Sequence, residues 1–424
     1  MSAQRKPGEG AAQIIASLAT SYLGVQLPVR IRAWDDSEAG PDSDIVLIIR
    51  SPLALRRMLW RPGELGLARA YVSGDLAVEG DLTQGLRLVK QAIGQARRGR
   101  SRQWRVSADS VTAGARTAKE LVQAAARLEA IGPPPSPPST EVRVRGRLHS
   151  RARDRAVIAG HYDVPPGFYE LILDPRMAYS SAYWEQDDPG YTLEDAQRDK
   201  LDRICAKLSL APGSRLLDMG CGWGSLTIHA ASRYQARVTA VTLSEQQGGY
   251  VRNRVRALGL DDLVEVRIQD YRDVHHGSYD AIASIEMGEH VGAAGYPAFA
   301  AALRGLLRPG GRLLIQQMSR GSRPGGGPFI ESYIAADMHM RPVGQTVALL
   351  EKAGLEVLGV DAMRGHYVRT IRAWLDNFER NLPEITAMLG DEAVRVWRLY
   401  LVGGALAFEE GRMGVDQILA AKNA

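Results

Sequence analysis

At 424 residues, with 45% hydrophobic and 24% charged residues, the chain is long for one domain and has the make-up of a globular protein. No run approaches the roughly 18 apolar residues that span a bilayer, and the start lacks the apolar core of a secretory signal, so a soluble or peripheral protein is expected. Two cysteines, Cys205 and Cys221, exclude a disulfide framework, fit a reducing cytoplasm, and have no neighbours at metal-ligand spacing. The net charge of +5 is uneven: between Arg97 and Arg155 basic residues outnumber acidic ones 14 to 5, which suits either an anionic surface or a solvated linker.

In chain order, residues 1–12 are polar and Gly-rich and read as disordered. A helix from Ile14 to Leu23 is followed by two strands: Val29–Trp34, which alternates apolar and polar, and the more apolar Asp44–Arg50. Helices are predicted from Pro52, over Leu65–Val72 and over Leu82 to about Ala96, completing a small α+β domain over residues 1–98. Residues 99–144 form a basic, Pro-rich linker. Within it Ala113–Ala130 reads as a helix and Gly132–Thr140 as a polyproline-like spacer. From residue 145 strand and helix patterns alternate. Strands are predicted at Arg215–Met219, Arg237–Leu243, Val264–Gln269, Ala281–Ile285, Arg312–Met318, Leu355–Val360 and Val368–Arg372, and Pro383–Ala424 reads as largely helical. That alternation implies an α/β fold with a mainly parallel, doubly wound, seven-stranded Rossmann-like sheet and its ligand at the carboxyl ends of the strands.

The stretch Arg215-Leu-Leu-Asp-Met-Gly-Cys-Gly-Trp-Gly224 is a short apolar strand followed by a tight glycine turn, and Ser225 onward reads as a helix. Its spacing is Gly-x-Gly-x-Gly with Asp218 ahead of the turn. This suits a ligand carrying an amino acid and a sulfonium better than a diphosphate, which needs a run of free amides at a helix start. Tyr162, Phe168, Tyr169, Tyr179, Tyr183 and Trp184 then crowd six aromatics into the 24 positions from His161 to Trp184, against 6% in the whole chain. Aromatic faces suit a sulfonium or carbocation and also line apolar tunnels; the plain alternative is the core face of a lid helix.

These stretches, with Val241-Thr-Leu-Ser-Glu-Gln-Gln247, Gln269-Asp-Tyr-Arg-Asp273 and Glu289-His-Val-Gly292, resemble the cyclopropane-fatty-acid synthase family over residues 145–424. Gly66–Asp75 is similar to the extra N-terminal domain of the phospholipid-acting members. The resemblance implies a class I methyltransferase domain that uses S-adenosylmethionine to methylate the cis double bond of an acyl chain. It places Tyr162, Tyr179 and Ser180 at the methionine end of the cofactor and Asp218, Gly220 and Gly222 at the turn it approaches. Thr242, Leu243 and Gln247 fall on the ribose side, and Asp270, Tyr271 and Arg272 flank the adenine, with Ile285 nearby. The family's centre holds bicarbonate as base through a Cys, a Glu, a His and a Tyr. Glu289 and Tyr367 match two of these; Ser181 stands for the Cys and Gln316 for the His, and Glu286 replaces a small Gly. Two of the four ligand types are altered, which puts bicarbonate in question and offers Glu286 and Glu289 as bases.

Alkene attack on a sulfonium methyl leaves a carbocation, and the position of the base decides which product forms. Proton loss with ring closure gives cyclopropane, whereas a hydride shift before loss from the same methyl carbon gives an exocyclic methylene. The full-length arrangement, with Ser181 and Gln316, looks most like the actinobacterial tuberculostearic-acid branch, in which an oleoyl phospholipid is methylenated at carbon 10 and a separate reductase follows. The expectation is that reaction, peripheral at the inner, anionic face of the membrane. The alternatives are a cyclopropane synthase and, in another class, a non-catalytic lipid-binding protein; assembly into a homo-oligomer stays open. No base-clamping Asn-Pro-Pro-Tyr motif points to nucleic acid. His149, His229, His275, His276 and His339 form no metal-ligand pattern, and His161 and His290 read as orienting hydrogen-bonders.

Overall fold

Neighbouring residues Leu216 and Leu217 are both fully buried, yet they belong to different apolar cores, one on each face of a sheet. The computed structural model describes residues 9–101 and 122–423 except positions 143, 163, 276, 322 and 323. Much of the basic segment, including Arg102, Arg105, Arg116, Lys119 and Arg143, and the first half of the predicted helix Ala113–Ala130 therefore lie outside the described residues, as does His276. The chain divides into two units, Met1–Glu141 with Asp391–Trp397 and Val142–Gly390 with Arg398–Ala424.

In the first unit a four-stranded sheet is built from β1 (Arg30–Ala33), β2 (Glu38–Ala39), β3 (Val46–Ile49) and β4 (Leu76–Glu79), in the order β2-β1-β3-β4. Helix Pro52–Trp60 begins as proline at the first helical position favours, with the Ser51 hydroxyl accepting from the Leu53 amide at 3.3 Å. The proline-rich stretch read as a spacer is fastened to that helix. Arg56 donates to the carbonyls of Glu129 and Ile131, Arg57 to that of Ser136, and the Trp60 indole to that of Gly132. Arg69 then grips the Glu141 carboxylate with two bonds of 2.6 and 2.7 Å.

The second unit holds a seven-stranded sheet. Its strands are β5 (Arg215–Met219), β6 (Arg237–Thr242), β7 (Val264–Ile268), β8 (Tyr279–Ile285), β9 (Leu307–Ser319), β10 (Glu356–Ala362) and β11 (Gly414–Ala421), in the order β10-β11-β9-β8-β5-β6-β7. Strands β5 to β9 run parallel, and β11 is antiparallel to both of its neighbours. One core packs helices Gly292–Leu306 and Val343–Lys352 against the sheet through Phe299, Leu303 and Leu350. The other packs Leu193–Lys207, Ser225–Tyr234 and Glu245–Ala257 through Ile204, Ala230 and Val251. Chain order reverses at β5, which has β6 on one side and β8 on the other, so a crevice opens at their carboxyl ends.

Two expectations for this sheet are corrected. Val368–Arg372 is not a strand but part of helix Arg364–Arg380, whose buried Tyr367, Ile371, Trp374 and Phe378 recur at helical spacing. The seventh strand is instead β11, within the segment expected to be helical. Wedged between β9 and β10 and buried on both faces from Val415 to Ile418, it shows no apolar–polar alternation, and its Asp416 and Gln417 disguise it as surface. Ile418, 1% exposed, pairs with Ile315 and Val360, whereas Leu358 on edge strand β10 is 47% exposed. Ile418→Ala should lower unfolding free energy by about 2–5 kcal/mol in urea titrations, and Leu358→Ala by less than about 0.5 kcal/mol.

Candidate active site

Strand β5 ends in the glycine turn. The amides of Gly220 and Cys221 both donate to the Val241 carbonyl at 2.9 Å, folding the turn over the end of β6. Gly224 has φ +82, and a Cβ there would meet Val251 at 2.9 Å, so only glycine fits. At Gly222, φ +52, an added Cβ would meet nothing within 4 Å. That open side faces a cleft of 1290 Å³, counting its mouth, which the ends of β5, β6 and β8 and the loop after β7 all line.

The sequence-predicted cofactor residues are distributed around this cleft. Tyr179, Ser180, Asp218, Gly220, Gly222, Thr242, Leu243, Gln247, Tyr271, Arg272 and Ile285 all line it. Asp270 is not among the lining residues: its carboxylate accepts from the Arg272 amide and guanidinium at 2.9 and 2.8 Å, which fixes the loop instead. Tyr162 lies in helix Arg151–Tyr162, and its side chain is outside what is described. The Gln247 Oε1 accepts from the Thr242 hydroxyl at 2.9 Å, while its buried Nε2 has no hydrogen-bond partner among the described residues. A buried, unmet donor on the wall of a cleft suits a ligand bearing hydroxyl oxygens.

Most of the aromatic cluster serves packing. Phe168 and Tyr169 are fully buried, Tyr183 stacks on His366 with centroids 4.3 Å apart, and the Trp184 indole donates to the Thr370 hydroxyl. Tyr179 is the described member that reaches the cleft, with Tyr169 and Trp374 behind it at 5.4 and 5.3 Å.

At the cleft wall after β8, Glu286 takes φ +51, a left-handed backbone that disfavours side chains by about 1–2 kcal/mol and accounts for a small glycine at this place in the family pattern. Its carboxylate is caged. Oε1 accepts from the Ser181 amide at 2.8 Å and from the Gln316 Nε2 at 2.9 Å, and Oε2 accepts from the Tyr367 hydroxyl at 2.8 Å. The predicted catalytic residues thus converge, with two differences from the expected roles. Ser181 acts through its amide, since its hydroxyl donates to the Ala182 carbonyl. Glu289 does not line the cleft: its Oε1 accepts from the Met318 amide, and its buried Oε2 has no hydrogen-bond partner among the described residues.

Burial raises the pKa of both carboxyls. At Glu286 the Ser181 amide, Gln316, Tyr367 and the Lys200 charge oppose that rise, whereas Glu289, beside the Glu286 charge, is pushed up to about 8. Of the two, Glu286 has the donors that favour a charge, and Glu289 is the one held towards its protonated form. Lys200, missed in the sequence because it sits on an ordinary amphipathic helix, is fully buried at the cleft wall, where burial lowers its pKa to about 8 against Glu286, Asp174 and Asp218. Its ammonium donates to the Ser180 hydroxyl at 3.0 Å. Asp218 is raised by burial to about 6 and accepts from the Thr227 hydroxyl at 2.6 Å. Among the described residues no cluster of His, Cys, Asp and Glu suits a metal ion, and the His229 ring is held by Asp202 at 2.8 Å.

Residues 149–418 match the family model for mycolic acid cyclopropane synthetase. A probable fatty acid methyltransferase of Pseudomonas putida is 35% identical across 96% of this chain and 95% of its own length. A tuberculostearic acid methyltransferase of Mycobacterium tuberculosis is 31% identical across 97% and 92%. A solved mycolic acid cyclopropane synthase, complexed with S-adenosylhomocysteine and the surfactant CTAB, superposes with a TM-score of 0.60 at 30% identity, covering 63% of this chain and 98% of that one.

The placement of the proton on Glu289 has a measurable consequence. A carboxyl raised to about 8 in the folded protein stabilises it fully below its unfolded value near 4.5, and that stability is lost as pH rises through 8. Between those values the unfolding free energy of the wild type should fall more steeply with pH than that of Glu289→Gln, measured by denaturant titration across the range.

Proposed function

The chain belongs to the mycolic acid cyclopropane synthetase family, and from that premise we propose that it methylates the cis double bond of an oleoyl phospholipid and releases a 10-methylene acyl chain. As a family member it is an S-adenosylmethionine-dependent enzyme acting on lipid acyl chains. The observation that carries the finer reading is the Glu286 cage: the Ser181 amide, Gln316 and Tyr367 hold the protein's own carboxylate where the family resemblance places bicarbonate.

S-adenosylmethionine supplies an electrophilic methyl group on a sulfonium. Gln247, oriented by Thr242, offers its unmet Nε2 to a ribose oxygen, and the open side of Gly222 lets the backbone come close. Tyr271 and Arg272 would hold the adenine, and Tyr179 and Ser180 the methionine end, with Lys200 fixing the Ser180 hydroxyl.

The alkene π electrons form the new C–CH₃ bond as the S–CH₃ bond breaks, its electron pair leaving on the sulfur of S-adenosylhomocysteine, and a secondary cation remains on the neighbouring carbon. The Glu286 charge and the Tyr179 ring, backed by Trp374, stabilise that cation more than the neutral alkene. Because three donors and the left-handed backbone pin the carboxylate, it takes a proton from one direction only. A hydride then moves from the methylated carbon to its neighbour, giving the more stable tertiary cation. Glu286 removes a proton from the new methyl carbon, and the C–H electron pair becomes the exocyclic double bond.

The likeness to a relative named for tuberculostearic acid supports this product, which a separate reductase would saturate. Among the described residues no helix is long and apolar enough to cross a membrane. The surplus of basic residues between Arg97 and Arg155 supports an anionic membrane surface as the place where the enzyme meets its lipid.

Lipids from cells making this protein and fed oleate should contain a species 14 Da heavier that ozone cleaves to a ketone; an ozone-resistant species of the same mass would mean ring closure. Glu286→Gln should lower kcat by about 10²-fold or more in assays of S-adenosylhomocysteine release.

A further inference from the structure

Behind Glu286 a line of polar side chains runs through the sheet interior towards solvent. The Gln316 Nε2 donates to Glu286 at 2.9 Å and lies 3.3 Å from the Ser181 carbonyl, and its Oε1 accepts from the Gln417 Nε2 at 2.9 Å. The Gln417 Oε1 accepts from the Lys207 ammonium, which also pairs with Asp361. Gln316 and Gln417 are buried at 0% and 1% exposure, whereas the Lys207 and Asp361 side chains are 20% and 45% exposed.

The direction of every amide in this line follows from its ends. A carboxylate and a carbonyl accept only, so the NH₂ of Gln316 must face them. An ammonium donates only, so the oxygen of Gln417 must face it. The two glutamines between can then point one way, with all four donors aimed from Lys207 towards Glu286. Hydrogen bonds aligned head to tail polarise one another, and in a water-free interior they carry the influence of a terminal charge further than solvent allows.

We propose that Gln417 is a positioning residue which, backed by Lys207, locks the Gln316 amide and keeps the Glu286 carboxylate ionised for proton removal. This rests on Glu286 being the base. Nothing in the line moves a proton, since amides neither gain nor lose one here; the line sets orientation and electrostatics. The charged and titratable groups that face Glu286 directly are Lys200, Tyr367, Tyr400 and Glu289, and those around Lys207 are Asp361 and, beside it, Arg203.

The test is the pH profile of kcat for the full chain with S-adenosylmethionine and dioleoylphosphatidylglycerol vesicles, in Gln417→Leu, Lys207→Met, Lys207→Arg and Glu286→Gln. A base that loses its polarising donors is protonated more readily. The acidic limb should therefore move to higher pH by about one unit in Gln417→Leu and Lys207→Met, lowering kcat up to about tenfold on that limb while KM for S-adenosylmethionine holds. Lys207→Arg should keep the wild-type profile. A merely structural role would lower the melting temperature and leave the limb in place, and that result in Lys207→Met, a partly exposed position that tolerates substitution, would overturn the proposal even if Gln417→Leu failed to fold. Full kcat in Glu286→Gln would instead defeat the assignment of the base, whereas its loss alongside unmoved limbs in the other two would defeat the line alone.

Discussion

A carboxylate taken out of water must find donors or give up its charge, and at the end of β8 the fold resolves that constraint differently for two residues three positions apart. Glu286 receives an amide, a carboxamide, a phenol and the field of a buried lysine; Glu289 receives one amide and keeps its proton. A buried charge is thereby placed in the wall of the cleft with its direction set. The left-handed backbone at Glu286 costs stability and persists because the hydrogen bonds hold it there.

The donors come from far apart in the chain. Ser181 lies ahead of the first strand of the large sheet, Gln316 sits on β9, and Tyr367 is on the helix after β10. Only the sheet order β11-β9-β8-β5 brings them to one point, and it also sets Gln417 beside Gln316 across β11 and β9. The same reversal of order at β5 opens the crevice that a glycine turn, Gln247 and Tyr179 line together. Chemistry and cofactor site are thus two consequences of one topology.

Much of this was legible in the residues. The glycine turn, the alternation of strands and helices, and the exchange of Gly for Glu at position 286 are local patterns, and local patterns survive in a sequence. What was hidden is non-local or lies in the backbone. Ser181 looked like a substituted side-chain ligand, yet its amide does the binding. Strand β11 lacked alternation because both of its faces are buried, so Gln417 gave no sign of facing Gln316. Asp270 sits in the motif expected to flank a nucleoside but is taken up by Arg272 two residues on. The aromatic cluster, enriched enough to suggest a ligand cage, is mainly core, because packing and binding draw on the same side chains.

The central claim is that the protein's own Glu286 carboxylate does the work of an added anion. Its most direct test is methyl transfer to oleoyl phospholipid by the wild-type protein in buffer stripped of carbon dioxide and bicarbonate, compared with the same assay after bicarbonate is restored. The account predicts an equal kcat in both. A rate that collapses on depletion and returns with bicarbonate would contradict it, and would return Glu286 to the role of a bystander beside an anion site.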